Sequence, residues 1–184
     1  MSSAYKIKDE SRFHFLTMSV VDWMDVFTRK DHQQIIIDSL RFCQKNKGLQ
    51  IGAWCMMTNH IHLIARSEQN SLGKTIGEFK RFTSHQLLKE IGASSKESRK
   101  NWLMGRFSQA SHQYKSADKH QFWQYESHPV ELNTNTIIQQ KVDYLHYNPV
   151  KAGFVETPEA WRLSSAMEYS GGGRVPLIDC YLMW

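Results

Sequence analysis

Three features of this 184-residue sequence predict an α+β fold of the ferredoxin-like kind, a split βαβ sandwich. Segments rich in aromatic and β-branched residues alternate with segments of helical period. They run in the order β-α-β-β-α-β, followed by one more helix. The two central strands are separated by only two residues, which makes them an antiparallel hairpin, and the four-stranded sheet expected of that fold is antiparallel. Helices are expected on one face of that sheet, with the added C-terminal helix completing the unit.

Taken in order, residues 12–20 (Arg-Phe-His-Phe-Leu-Thr-Met-Ser-Val) read as the first strand. From residue 31 to 47 the pattern is helical. Asp31 and Gln34 have capping-box spacing, Ile36, Leu40 and Cys43 recur at +4 and +3, and Gly48 stands where a helix stops. Residues 49–57 and 60–66 form the hairpin around Thr58-Asn59. Residues 71–91 form a second amphipathic helix with Leu72, Ile76 and Phe79 on its apolar side and Gly92 as its end. The polar stretch 93–101 reads as a loop, and 107–116 fits neither period. Residues 121–130, with Phe122, Trp123 and Tyr125, read as the fourth strand. The third helix opens with Thr136 and Gln139 as a capping box and carries Ile138, Val142 and Leu145. It is expected to end at Pro149. Beyond Val155 periodicity fades, and Gly171-Gly172-Gly173 reads as a hinge before a tail.

The length fits one domain over 1–184, with a core of about 10–156 and a tail of 157–184. No apolar run approaches the ~20 residues that span a bilayer, so no membrane partner is expected. The first residues lead into charge rather than an apolar h-region, which argues against secretion. Cys43, Cys55 and Cys180 stand apart, with no CxxC pair, as in a reducing cytoplasm. Lysine and arginine number 23 against 18 aspartates and glutamates, a net charge of +5 that invites nucleic acid without establishing it.

Two constellations have the makings of chemistry. On a strand, His60 and His62 point to one face and can reach one cation, while Ile61 and Leu63 take the other. Nine histidines in 184 positions give about 0.4 such pairs by chance, so spacing alone does not separate ligands from a turn histidine and a hydrogen-bonded neighbour. Tyr144 and Asn148 share one stripe of the third helix, with Lys141 a turn earlier. Tyr144 lies about 200° from Val142, away from the apolar stripe. On that helix alone, a surface tyrosine is the commoner role. Other histidine chemistries fail. Position 64 is Ile, which excludes the histidine triad and the two-histidine phosphodiesterases, and His-Glu-x-x-His is absent. No Walker loop or GxGxxG is present, so no nucleotide cofactor is expected.

The motifs together are more specific. Met57-Thr58-Asn59-His60-Ile61-His62-Leu63-Ile64, Phe79-Lys80-Arg81-Phe82, Phe122-Trp123-Gln124 and the run from Val142 through Tyr144-Leu145-His146-Tyr147-Asn148-Pro149 to Gly153 resemble one family in order and spacing. Trp161-Arg162-Leu163-Ser164-Ser165 extends the likeness. The family is the single-tyrosine HUH transposases of the insertion-sequence type. The Tyr-Leu-His-Tyr-Asn-Pro-Val-Lys-Ala-Gly run looks most like its REP-associated tyrosine transposases.

The resemblance implies an RRM-like, ferredoxin-like enzyme that cuts and rejoins single-stranded DNA near hairpins. His60 and His62 would hold a divalent cation, Mg²⁺ or Mn²⁺. Tyr144 would be the nucleophile. Asn148 stands where the family offers a third polar ligand, often glutamine in the wider group. Lys80, Arg81 and Lys151 are the expected phosphate contacts, and aromatic residues offer stacking surfaces for unpaired bases. For each of these residues alone, a solvated charge or a core aromatic is the commoner role. A cytoplasmic, nucleoid-associated protein, monomer or homodimer, is the corresponding expectation. A non-catalytic RRM-like module for hairpin DNA or RNA and a metal-dependent hydrolytic nuclease are the alternatives.

Overall fold

The computed structural model describes residues 7, 9–68, 71–114, 116, 118–125, 129–172 and 175–183. Strands β1 (His14–Ser19), β2 (Leu49–Met56), β3 (His60–Ser67) and β4 (Val130–Glu131) form one sheet in the order β2-β3-β1-β4. Every pairing is antiparallel. This is the ferredoxin-like order predicted from the sequence, read from the other edge.

Alternation along β3 divides the molecule into two cores. Ile61, Leu63 and Ala65 face helices α1 (Lys30–Lys47), α2 (Leu72–Ala93) and α3 (Lys100–Gln113). Ile64 faces the other way, with Phe15, Ala53 and Cys55, and meets Val142 and Leu145 of α4 (Asn135–Lys151). His60 and His62 have the parity of Ile64 and so share the α4 side. A bulge between Ile51 and Ala53 keeps β2 in step, because Ile51 belongs to the first core and Ala53 to the second. Gly52 occupies the bulge, where an added Cβ would meet Met183 Sδ at 2.7 Å. Fully burying Val142 and Leu145 fixes α4 on the sheet, at about 1.5–3 kcal/mol per side chain.

Several boundaries differ from the sequence reading, each for a local reason. The Asp31/Gln34 capping box does not form. Helix α1 begins at Lys30, the preceding segment is held by His32 Nδ1 and Gln33 Nε2 on the carbonyls of Val26 and Phe27, and Gln34 bonds Asp38 instead. Gly48 does close α1, at φ 63°. Gly92 does not end α2, which runs to Ala93. The cap of α4 is Thr134, whose side chain accepts from the Ile137 amide at 3.2 Å, rather than the Thr136/Gln139 box. Pro149 lies inside α4 rather than ending it. So near the C-terminus it deprives only the Leu145 carbonyl of a helical partner. The helix then closes two residues later through Gly153 at φ 75°, with Phe154 N donating to Pro149 O.

The fourth strand is displaced. Among the described residues of the 121–130 segment, Trp123 makes a single bridge to Val20 and Val130 opens the ladder beside β1, Val130–Glu131. Phe122 and Trp123 are adjacent yet both buried in the same core, which a pleated strand forbids. Residues 126–128 of that segment lie outside the described residues. The unassigned stretch 107–116 falls mostly within α3. Residues 93–101 are anchored by buried Glu97, which accepts from Arg29 Nε at 2.7 Å and Arg99 Nε at 3.1 Å.

The tail packs on the sheet edge. Met56 N donates to Leu163 O and Tyr181 N to Ile51 O, while Arg41 and Gln44 of α1 hold the carbonyls of Leu177 and Asp179. Edge strand β2 is thereby covered. Of the glycine run, Gly173 lies outside the described residues. No helix among the described residues is long and apolar enough to cross a membrane.

Candidate active site

The hairpin turn does more than join two strands. Asn59 sends its Nδ2 to Trp23 O at 3.1 Å and to Asp25 Oδ1 at 3.0 Å, which leaves its Oδ1 as the acceptor facing His60 Nδ1 at 2.7 Å. Thr58 Oγ1 holds the same Asp25 carboxylate at 2.6 Å. The proton of His60 is thus fixed on Nδ1, and the lone pair stays on Nε2. His62 is oriented from β1: Thr17, directly opposite in the register, meets its Nδ1 at 2.9 Å. On the other side Asn148 Nδ2 stands 2.9 Å from His62 Nε2. With the amide donating, His62 also carries its proton on Nδ1.

The two imidazole rings lie 4.7 Å apart. Burial pushes the pKa of His60 down to about 4 and that of His62 to about 3, the latter with help from His60 and Lys141. Both imidazoles are therefore neutral near pH 7, the form in which they act as ligands.

Tyr144 meets this pair from α4. Its ring packs edge-on to His62 at 5.3 Å and to Phe15 at 5.8 Å, while Phe15 stacks on His62 at 5.2 Å. Tyr144 is still 44% exposed, which leaves it open to a large substrate. Lys141 and Lys151 flank it, with Nζ atoms 5.7 and 5.6 Å from the ring centroid. Helix α4 is held in place by His146, whose Nε2 lies 2.9 Å from Ser165 Oγ and whose ring meets Tyr169. This gives the Trp161-Arg162-Leu163-Ser164-Ser165 motif a physical role: it lines β2 and braces the helix bearing Tyr144.

The donor set fits a divalent cation of intermediate hardness. Two neutral imidazoles stand side by side, each backed by a hydrogen bond through its Nδ1, as metal-bound histidines are. Among the described residues no cluster of three or more His, Cys, Asp or Glu forms, so the amide of Asn148 is the third polar group at hand. It faces His62 through Nδ2. Turning the amide over presents Oδ1 instead, the ligand atom a cation needs.

His60, His62, Tyr144, Asn148 and Lys151 are thus brought together, all from one chain. Lys80 and Arg81 are not. They sit on α2, across the sheet from the histidines, and Lys80 donates to Gln124 O at 2.8 Å from a half-buried position that lowers its pKa to about 8. Thr17 and Asn59 escaped the sequence reading. Thr17 could be found only from the β1–β3 register, and Asn59 looked like an ordinary turn residue.

The family pattern described as IS200-like transposase matches residues 11–122, more than half of the chain. That span holds the histidine hairpin and stops before Tyr144. No curated protein matches the sequence. Among solved structures, a REP-associated tyrosine transposase bound to a REP hairpin superposes with a TM-score of 0.66 at 16% identity, covering 98% of this chain and 92% of that one. A chain from Deinococcus radiodurans, described only provisionally as a transposase, gives a TM-score of 0.40 at 12% identity, covering 79% of this chain and 96% of that one. With the family pattern lying over the strand that carries both histidines, the chain belongs to the IS200-like transposases, enzymes of the HUH single-tyrosine type.

Proposed function

We propose that this transposase cuts and rejoins single-stranded DNA at or beside a hairpin, with Tyr144 as nucleophile. The observation that carries the reading is the packing of Tyr144 against His62 while Asn148, one turn further along α4, contacts the same imidazole. The fold shared with a protein that binds a REP hairpin supports hairpin DNA as the substrate class. Tyr144 Oη attacks the scissile phosphorus and gives up its proton. The 3′ oxygen leaves and takes one up, giving a 5′-phosphotyrosine and a free 3′-hydroxyl. Attack by a 3′-hydroxyl reverses the step, so the phosphodiester is conserved and no ATP is consumed. His60, His62 and Asn148 would hold Mg²⁺ or Mn²⁺, of which Mn²⁺ suits the nitrogen donors better. When bound, the cation would withdraw charge from the scissile phosphate as a Lewis acid. Lys151 would bind a neighbouring phosphate. Residues 1–184 act as one catalytic domain, with 157–184 as its brace, at the nucleoid in the cytoplasm.

The test is a denaturing gel of the protein mixed with end-labelled hairpin oligonucleotide and Mn²⁺. A protein–DNA band that survives boiling and is absent for Tyr144→Phe is the expected result. Cleaved product without an adduct would make the protein a hydrolytic nuclease. Binding with neither product nor adduct would make it a non-catalytic module.

A further inference from the structure

Beside the histidines the chain adopts a conformation that its residues disfavour. Asp22 (φ 55°, ψ 19°) and Trp23 (φ 53°) are consecutive non-glycine residues in the left-handed region, which a bulky tryptophan rarely enters. Several bonds hold them there. Asn59 Nδ2 donates to Trp23 O, Arg106 Nη2 pairs with Asp22 Oδ2 at 2.6 Å, and Val21 N donates to Phe122 O. Strain that is over-determined in this way marks a place with a use. Its result is an indole 53% exposed, standing edge-on to His60 with 5.4 Å between ring centroids.

Trp23 forms one wall of a cavity of about 330 Å³. Another wall is Trp102 of α3, 54% exposed and without a ring partner among the described residues. Arg99 and Arg106 complete it together with Asp22 and Asp25. Both arginine side chains are about 40% exposed even though each is ion-paired, Arg99 to Glu97 and Arg106 to Asp22. Two open indoles with cations beside them are the elements of single-strand binding: a π-face for a base and charge for its phosphate. The volume lies at the small end of ligand sites, room for one nucleotide and not for a duplex. The carboxylates at the rim can accept from a base edge.

We propose that this cavity receives one unpaired base of the DNA strand flanking the cleavage site, stacked on Trp102 and Trp23. The inference rests on the single-stranded DNA substrate proposed above and adds to it a position where sequence is read. The pocket is joined to the chemistry through Asn59, which touches both Trp23 O and His60 Nδ1. A base seated against Trp23 therefore bears on the imidazole next to it.

The test uses Tyr144→Phe protein, so that binding is read without cleavage. It is titrated with a labelled hairpin oligonucleotide bearing single-stranded flanks, and with a set in which each flank nucleotide in turn is made abasic. At one flank position loss of the base should weaken binding about tenfold. Adding Trp102→Ala should weaken the intact oligonucleotide about tenfold and level the abasic set, whereas Trp102→Phe, which keeps a stacking ring, should preserve the discrimination. An abasic profile that is flat in the parent, or unchanged by Trp102→Ala, overturns the pocket. The adduct gel on protein retaining Tyr144 is scored separately. Discrimination without an adduct keeps the pocket and removes the tyrosine reading. An adduct with a flat abasic profile does the reverse, and no binding of any hairpin overturns both.

Discussion

Asn148 Nδ2 lies 2.9 Å from His62 Nε2, joining α4 to β3 across 86 positions of sequence. The contact sets the register between the helix that carries Tyr144 and the strand that carries both histidines. It also places a third polar group on the side of the imidazoles that a cation would occupy.

Loss of that amide should be felt first in cation affinity. Asn148→Ala is expected to weaken Mn²⁺ binding at least tenfold by isothermal titration, while Asn148→Asp, which keeps an oxygen donor, should bind well. The double change of His60 and His62 to Ala should abolish binding, with circular dichroism confirming that the sheet survives. Mn²⁺ affinity untouched by Asn148→Ala would remove this residue from the ligand set.

The basic residues divide by face. Lys151 lies beside Tyr144 and Arg81 on the far helical layer, where it lines a groove with Phe42 and Phe82. Lys151→Ala should therefore flatten the dependence of log K on log salt by about 0.7 for one single-strand phosphate contact, and Arg81→Ala should leave it alone. Lys80→Ala is expected to act on stability instead, by about 1 kcal/mol, through the lost bond to Gln124 O. A reduced slope for Arg81→Ala with none for Lys151→Ala would place the DNA on the helical face.

Glu97 should make the fold acid-sensitive. Hydrogen bonds from Arg99, and then from Arg29, hold its carboxyl down from 4.5 to about 2 against the opposing effect of burial. A carboxylate with a depressed folded value stabilises fully above about 4.5, and the contribution fades as pH falls towards 2. Glu97→Gln should thus lower stability by about 2 kcal/mol at pH 7 in urea melts, with the gap closing near pH 2. A gap of equal size at both pH values would mean that the ion pairs contribute nothing.

What the sequence made legible follows from what is local. Period-two alternation in 60–66 and the helical period of 31–47 are short-range, and both elements formed where their patterns lay. The fourth strand failed because Phe122 and Trp123 are buried together by tertiary packing, which no alternation rule anticipates. Pro149 falls inside α4 although a proline pushes the residue before it out of the α region, because the helix has only its last turn left to run before Gly153 closes it. In the site, His60 and His62 were visible as a pair, since two residues on one strand share a face. Thr17 and Asn59 were not, because their roles depend on strand register and on where Asp25 and Trp23 fold back. The aromatic cavity was hidden for the same reason: Trp23 and Trp102 are 79 positions apart and meet only through the fold.

The choice between two phenols is the sharpest test of the helix geometry. Tyr144 and Tyr147 are both open to solvent, at 44% and 50% exposure, so access does not distinguish them. Direction does. Three residues turn the helix by about 300°, so Tyr147 points about 60° away from Tyr144. Only Tyr144 packs on His62 and stands between Lys141 and Lys151. Removing one exposed hydroxyl should change stability by no more than about 0.5 kcal/mol in either variant. Tyr147→Phe is then expected to form the covalent adduct at the parent rate. Tyr144→Phe should fold as well and bind hairpin DNA as tightly, yet yield neither adduct nor cleaved strand, because the lost oxygen is the atom that forms the bond to phosphorus. Peptide mapping of the trapped adduct should find the phosphate on the peptide containing residue 144 and place it on that tyrosine. Phosphate on Tyr147, or an adduct that persists in Tyr144→Phe, would show that α4 turns a different face to the DNA from the one that packs on His62.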